Sequence, residues 1–372
     1  MKILTLESYY GGSHKAFIDG LSQASRHQWT ILTLPAHKWK WRMRHSAITF
    51  AGQVSNLLRN NQNWDMLFCS DMLNLAEFSS LVPVEIAELP KIIYFHENQL
   101  TYPVRVEDER DYQFAMTNLT SALAANAVWF NSQFHRDSFL NALVKLLKSM
   151  PDYQPLAEVE KIHTKSSIFP PGINNLPKRT KRKTGPLRIL WAARWEHDKN
   201  PEDFFAALEI LKNNNIHFEI SVIGQSFRDR PEIFDKAKKQ FSDNITRWGY
   251  QQSRREYEDA LLEADVIVST ANHEFFGLSV LEAIAAGVYP LVPKRLCYPE
   301  ILNLEKINGA EQFFYDGSID NLSERLSLLA VRVQERKIWP ESITPEVITG
   351  RFRWKNLISQ YDEALEKVSR NT

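Results

Sequence analysis

The 372-residue chain has only two cysteines, Cys69 and Cys297. They stand far apart, with no partners at metal-ligand spacing. That excludes a disulfide-stapled fold and a structural zinc site, and it suits a reducing, cytoplasmic setting. Net charge is also missing: 45 basic residues balance 45 acidic ones. Global attraction to nucleic acid or to an anionic membrane therefore gives no argument, although local patches can still act. No apolar run approaches the ~18–20 residues of a membrane span. The first residues, MKILTLESYYGGSHKAF, carry one lysine and a short apolar run, without the long apolar core or cleavage site of a signal peptide. Membrane contact, if any, is expected to be peripheral.

What is present is ordinary globular material, 44% hydrophobic and 24% charged. The length favours two domains. Short β-type runs alternate with helical stretches. Residues 3–6 and 29–34 read as strands around a helix at 13–25. Runs at 66–69, 91–95, 127–131 and 167–169 follow, with helices expected at 51–60, 114–125 and 132–149. Alternation of this kind predicts parallel sheets with crossover helices. The stretch PPGINNLPKRTKRKTGP breaks the pattern with prolines and a basic run. It is read as a linker over residues 171–186, between an N-terminal domain at 1–170 and a second at 187–350. In the second, strands are expected at 187–192, 218–223, 245–248, 266–269 and 289–292. Helices are expected at 201–213, 231–241, 253–264 and 277–286. Residues 351–372 are assigned to a C-terminal helix, at about 354–368, crossing back to the first domain. The fold class is α/β, two Rossmann-like domains with parallel sheets facing an interdomain cleft.

Ligands of open parallel sheets bind at the carboxyl ends of strands. Two stretches there carry chemistry. In ILWAARWEHDKNPEDF, Arg194 and Lys199 follow a strand, on a loop entering a helix at Pro201 with Asn200 as its cap. Two such cations would straddle a diphosphate, the arginine as a fork and the lysine as a point charge. As isolated residues they are more readily read as solvated surface charges. In STANHEFFGLSVLEAIAAGVYPLVP, Glu274 lies on the loop after a strand, followed by Phe276, Gly277 and Leu278. Gly277 allows close approach of backbone to ligand, and the helix it opens directs its positive end at phosphate. Glu282 sits in an otherwise apolar helix, where a carboxylate needs a partner. A ribose diol would serve; so would a place on the polar side of the helix. Gly224, after the next strand, is a second close-approach position or a plain turn.

Arg194 and Lys199, followed by Glu274 and Glu282 eight positions apart, behind a first loop with Gly11-Gly12 and the string FPPGIN, resemble the retaining GT-B glycosyltransferases of the large family 4 type. The resemblance spans nearly the whole chain. It implies that Glu282 holds the donor ribose, that Glu274 and the backbone of Phe276, Gly277 and Leu278 face the transferred hexose, and that Arg194 and Lys199 bind the diphosphate and stabilise the leaving group. It implies no metal, in keeping with the absence of a DxD pair in a donor loop.

YFHENQLTYP places His96, Glu97 and Asn98 after a strand. A histidine there is commonly a satisfied polar residue; by resemblance it is the active-site histidine contacting the transferred sugar. This string, with ESYYGGSHKAF, LPAHKWKWRMRHSA and NSQFHRDSF, is similar to the tRNA-queuosine mannosyltransferase group. That resemblance implies GDP-mannose as donor, with no permanently bound cofactor, and queuosine in the anticodon of aspartate tRNA as acceptor.

HKWKWRMRH alternates cations with bulky residues: Lys38, Lys40, Arg42 and Arg44 against Trp39, Trp41 and Met43. In extended form one face would be cationic and the other aromatic, suited to phosphates and unstacked bases. Tryptophans entering the core, or a membrane-interface patch, are the other readings. The basic run at 178–183 would add phosphate contacts or form a solvated hinge. Gly12, in the first loop, would bring backbone near the transferred group or simply make a tight turn before an N-cap at Ser13. The pair of glycines is no G-x-G-x-x-G, which disfavours a nicotinamide site.

The expected reaction is retaining sugar transfer by a monomer, with no stable membrane insertion. Three rivals remain: an enzyme glycosylating a lipid at a membrane surface, a nucleotide-sugar epimerase or phosphorylase of similar fold, and an RNA-binding protein with a vestigial donor site.

Overall fold

Leu4, Leu6, Leu67, Ile93 and Val128 are fully buried, and so are their strand neighbours Ile3, Phe68 and Ile92. Strands apolar on both faces belong inside a parallel sheet covered on both sides. The computed structural model, which describes residues 1–103, 111–179, 182, 184–227 and 229–370, has this arrangement twice. The chain divides into two compact units. One is Met1–Gly172 with the stretch from Phe352 onward; the other is Ile173–Arg351. Thr180, Lys181 and Lys183 of the expected linker, and Asn371 and Thr372 of the expected terminal helix, lie outside the described residues.

The first unit holds β1 (Lys2–Tyr10), β2 (Gln28–Pro35), β3 (Met66–Ser70), β4 (Lys91–Phe95), β5 (Ala127–Phe130) and β6 (Ser166–Ile168). Their order is β2-β1-β3-β4-β5-β6, and the pairings are parallel. Side chains of a strand alternate between faces. Leu4 and Leu6 therefore join one core layer with Leu67 and Ile93, under helices Trp39–Arg59 and Gln133–Lys148. Ile3 joins the other with Phe68, Ile92 and Trp129, under helices Gly12–Ala24 and Trp354–Arg370. Trp354 fits there because Gly20 and Gly172 have no side chain: a Cβ on either would lie 2.1 or 2.3 Å from its indole. Asp362 fastens the terminal helix, accepting from Ser25 Oγ at 2.6 Å and from Arg26 N at 3.1 Å.

Three local expectations for this unit are corrected. The stretch at 39–45 is helical, not extended, because helix Trp39–Arg59 runs through it and through the segment expected only from 51. Buried Met43, Ala47, Phe50, Ala51 and Val54 recur with helical period, and that apolar stripe overrides the two-residue alternation of charge. Cations and aromatics consequently do not sort onto opposite faces. The N-cap of helix Gly12–Ala24 is Gly11, with no side-chain cap, rather than Ser13.

The second unit holds β7 (Leu187–Ala192), β8 (Phe218–Ile223), β9 (Ile245–Gly249), β10 (Val266–Val268), β11 (Tyr289–Pro293) and β12 (Phe314–Tyr315). The order is β12-β11-β10-β7-β8-β9, again parallel. Chain order reverses between β7 and β10 here, and between β1 and β3 in the first unit. Such reversals leave a crevice at the carboxyl ends of the two strands, where ligands of doubly wound sheets sit. The described cations of the basic run do not offer themselves to phosphate. Arg179 and Arg182 clamp the buried Asp265 with bonds of 2.8–3.0 Å, and Lys178 faces Glu346 at 3.6 Å. A buried carboxylate needs those donors, which is why the run folds back on its own unit.

Candidate active site

The reversal between β7 and β10 gathers the acids and bases singled out from the second unit. Asn200 takes a left-handed conformation (φ 49°) and caps helix Pro201–Asn213, receiving Asp203 N at 3.5 Å with Pro201 in the first turn. That cap ends the short turn His197–Lys199 and turns Lys199 inward, where it is only 8% exposed. Its ammonium donates to His273 O at 2.7 Å and to Glu274 Oε2 at 3.3 Å, and lies 3.0 Å from Asp198 Oδ2. Burial alone would pull the Lys199 pKa down; the Glu274 and Asp198 carboxylates outweigh it, and the net shift is upward. Glu274 mirrors this. Burial raises it, but Lys199, His273 and the backbone N–H groups of Phe276 and Gly277 draw it below its ordinary value. His273, packed beside Lys199, is pushed down to about 4 by burial and by that ammonium. At neutral pH the arrangement is an ammonium beside two carboxylates and a neutral imidazole.

Gly277 is the N-cap of helix Leu278–Ala286, with φ 78°. A side chain is strained in that conformation, and a Cβ there would meet the Tyr298 ring at 3.0 Å. Leu278 and Phe276 flank it, so the first-turn N–H groups and the positive end of the helix lie beside Glu274. A cavity of about 20 Å³, room for one water, opens between Lys199, Glu274, Ser269, Val280 and Tyr298. Arg194 is half-exposed on the same loop, its Nε 3.3 Å from Glu196. Gly224 follows β8 with φ 149°; a Cβ there would stand 1.8 Å from the Ala193 carbonyl oxygen, so glycine is required for the two loops to touch. Glu282, one turn and more down the helix, receives Arg254 at 2.9 Å on one oxygen and the Tyr257 hydroxyl at 2.8 Å on the other. Arg254 and Tyr257 supply the partner that a carboxylate on an apolar helix needs, and no motif in the sequence pointed to them.

The second group lies at the reversal between β1 and β3 of the first unit. His96 follows β4, its backbone N–H bonded to Asp71 Oδ1 and its carbonyl to Asn131 Nδ2, both at 2.9 Å. Its ring stacks on His14 at 3.9 Å between centroids. Glu97 is half-buried and accepts from Gln99 Nε2 at 3.0 Å. Asn98 is buried, its Oδ1 capping the turn through Leu100 N, Thr101 N and Thr101 Oγ1. Gly12 opens the first turn of helix Gly12–Ala24. Glu7 and His14 belong to this group and were not singled out from the sequence. Glu7, His14 and His96 bring ligand-type atoms within 4.8 Å of one another, with Glu7 Oε1 and His14 Nδ1 already facing each other at 3.2 Å.

Helix Trp39–Arg59 distributes the remaining residues unevenly. Arg42 is buried and bonded to Pro35 O at 2.9 Å and to His45 Nε2 at 2.8 Å. Trp39 is half-buried against Phe114, ring centroids 5.1 Å apart. Lys38 is exposed in a left-handed conformation (φ 53°). Lys40, Trp41 and Arg44 are exposed; Lys40 Nζ lies 5.7 Å from the Trp39 ring and Arg44 sits 4.8 Å over Phe114. Trp41 is 62% exposed and Ile48 61%.

Similarity to known proteins agrees with both units. Residues 2–173 match the family model described as tRNA-queuosine alpha-mannosyltransferase N-terminal, and residues 173–339 match glycosyl transferases group 1. The tRNA-queuosine alpha-mannosyltransferase of Drosophila melanogaster is 38% identical over 317 residues, 82% of each chain. Sucrose-phosphate synthase from Thermosynechococcus elongatus has the same fold at a TM-score of 0.73 and 13% identity, with 100% of both chains covered. Anabaena HepE, solved with UDP, superposes at 0.68 and 14% identity over 99% of this chain and 100% of that one. The chain belongs to the tRNA-queuosine alpha-mannosyltransferase family, glycosyltransferases of the GT-B fold.

Proposed function

We propose that this chain transfers mannose, with retention, from GDP-mannose to the queuosine nucleoside of tRNA, in the anticodon of aspartate tRNA. The observation that carries the donor half is the set Lys199, Glu274 and Gly277 at one sheet reversal, with a buried ammonium beside the positive end of a helix. Lys199 and Arg194 take the diphosphate, and Glu282 takes the ribose. Glu274 and the backbone at Phe276, Gly277 and Leu278 face the hexose, with Gly224 and Gly12 as close-approach positions. His96 contacts the transferred sugar. Lys38, Lys40 and Arg44 meet phosphates and Trp41 stacks on a base; Trp39, Arg42, Glu97 and Asn98 shape that acceptor side.

The acceptor hydroxyl attacks the anomeric carbon on the face the diphosphate leaves. The bond from that carbon to phosphate oxygen breaks as the bond to acceptor oxygen forms, and the acceptor proton passes to the departing phosphate. Charge grows on that phosphate, where preorganised cations are worth far more than in water. Lys199, Arg194 and the helix terminus supply this stabilisation, so no metal is required. The chain acts as a cytoplasmic monomer.

A second reading has an observation of its own: Trp41 and Ile48 stand exposed on one helix beside Lys40 and Arg44, as at a membrane interface. One experiment separates the two. The protein is incubated with GDP-mannose or UDP-glucose and queuosine-containing tRNA, and the digested nucleosides are analysed by mass. A hexose increment on queuosine, from GDP-mannose alone, supports the tRNA reading. No increment, with anionic vesicles binding through Trp41, moves the acceptor to lipid.

A further inference from the structure

Glu7 is fully buried at the carboxyl end of β1, yet the reaction described above does not use it. One of its oxygens, Oε1, receives Tyr9 N at 2.8 Å and Ser70 Oγ at 3.0 Å, and lies 3.2 Å from His14 Nδ1. Groups from β1, from β3 and from helix Gly12–Ala24 thus fix a single carboxylate oxygen. His14 is 5% exposed, and its ring lies over the His96 ring with 30° between their planes. Phe17 closes on His96 edge-on at 5.1 Å and Tyr94 at 4.7 Å. Rings therefore flank the partly exposed His96 ring, while its backbone is pinned on both sides by Asp71 and Asn131. His96 Nε2 is buried with no hydrogen-bond partner among the described residues.

We propose that Glu7 and His14 are positioning residues for the transfer: Glu7 orients the His14 imidazole and keeps it cationic, and His14 holds His96 in one ring orientation as the neutral partner of the pair. This rests on the reading that His96 contacts the transferred sugar. Two stacked imidazoles cannot both carry charge cheaply, so the one against the carboxylate takes the proton. Among the described residues, the charged and titratable groups facing the pair include Glu7 and Tyr9 from β1, Asp71 from the end of β3, Tyr94 from β4, Glu97 from the turn after it, and His135 from helix Gln133–Lys148. Burial pulls the His14 pKa down, but Glu7 raises it to about 9, with Asp71 and Glu97 adding to it. Burial lowers His96 well below its ordinary value, and His14 and His135 push the same way. A neutral His96 keeps an Nε2 that bonds a sugar hydroxyl without a second cation near the anomeric centre, where positive charge develops.

The test is an imidazole ¹⁵N titration of the full chain, paired with pH–rate profiles. In the wild type, His14 is expected to carry both ring protons at pH 7.5 and to lose one near pH 9, with the neutral His96 resonances moving at the same midpoint. Glu7→Gln is expected to leave His14 neutral at pH 7.5. It should lower kcat on the order of 100-fold, the cost of a misplaced group, with the GDP-mannose KM within about twofold of wild type. A neutral His14 in the wild type at pH 7.5 overturns the proposal. So does a folded Glu7→Gln variant whose pH–rate profile superposes on that of wild type. Should Glu7→Gln not fold, the wild-type titration still decides. That titration needs no substrate, so it holds or fails independently of the acceptor.

Discussion

Lys199→Met removes a cation while keeping much of the apolar stem, and the structure says what is left behind. Glu274 and Asp198 lose the ammonium that lies 3.3 and 3.0 Å from them. Breaking a buried ion pair by removing one partner costs about 3–5 kcal/mol. The lower end applies here, because the Glu274 side chain is 26% exposed and can rebind water or a proton. Urea unfolding of the variant is therefore expected to show a loss of about 3 kcal/mol. If the ammonium also meets the leaving diphosphate, its removal costs the transition state about 2.7–4 kcal/mol, a fall of about 100- to 1,000-fold in kcat. Both quantities are measured on the folded protein, transfer by initial rates at saturating tRNA and stability by the denaturation midpoint. A variant that loses stability but keeps kcat within about threefold of wild type refutes the reasoning. Lys199 would then be a tether for Glu274 and nothing more.

Further outcomes follow from other residues. Gly277→Ala forces a side chain into a left-handed backbone, costing about 1–2 kcal/mol by thermal or urea melt, with a raised donor KM because the helix start shifts. Glu282→Gln weakens the hold on a ribose diol, so donor KM rises severalfold while kcat falls less; an unchanged donor KM contradicts the ribose role. Trp41→Ala, at a position 62% exposed, leaves the melt unchanged, and it raises the tRNA KM by the ~1–3 kcal/mol of one stacked base, about 5- to 150-fold. The His14 pKa is raised from 6.5 to about 9, so its stabilisation is complete below pH 6.5 and is lost as pH rises through 9. That rise corresponds to on the order of 3 kcal/mol. Asp71, lifted by burial to about 8, acts in the same direction as it ionises. Chemical denaturation from pH 6 to 9.5 is expected to show a steady loss, and a flat profile contradicts the assignment of charge to His14.

The two parallel sheets were readable because their strands are continuous apolar runs bracketed by helical stretches, and the pattern needs no knowledge of distant contacts. Local punctuation was readable for the same reason. Asn200-Pro201 predicts a helix start and makes one, and Gly277 predicts a close turn and takes a positive φ. The stretch at 37–45 misled, because alternating charge reads as period two while the apolar residues that decide the conformation lie four and seven positions further on. Long-range partners were out of reach. Arg179 and Arg182 meet Asp265 more than 80 residues away, and Arg254 and Tyr257 meet Glu282 from another helix. Glu7 looks like any polar residue near a strand end. Only folding brings Ser70, 63 residues on, and His14 to the same oxygen.

The central claim is that the Lys199–Glu274 group activates a mannosyl donor for transfer to queuosine. The most direct test measures α-mannosyl-queuosine by mass and anomeric NMR after reaction of GDP-mannose with tRNA carrying or lacking queuosine, for wild type and Lys199→Met. The account predicts an α-linked product only with queuosine present, formed by wild type and at least 100-fold slower by the variant. A β-linked product, or equal rates from the two proteins, would contradict it.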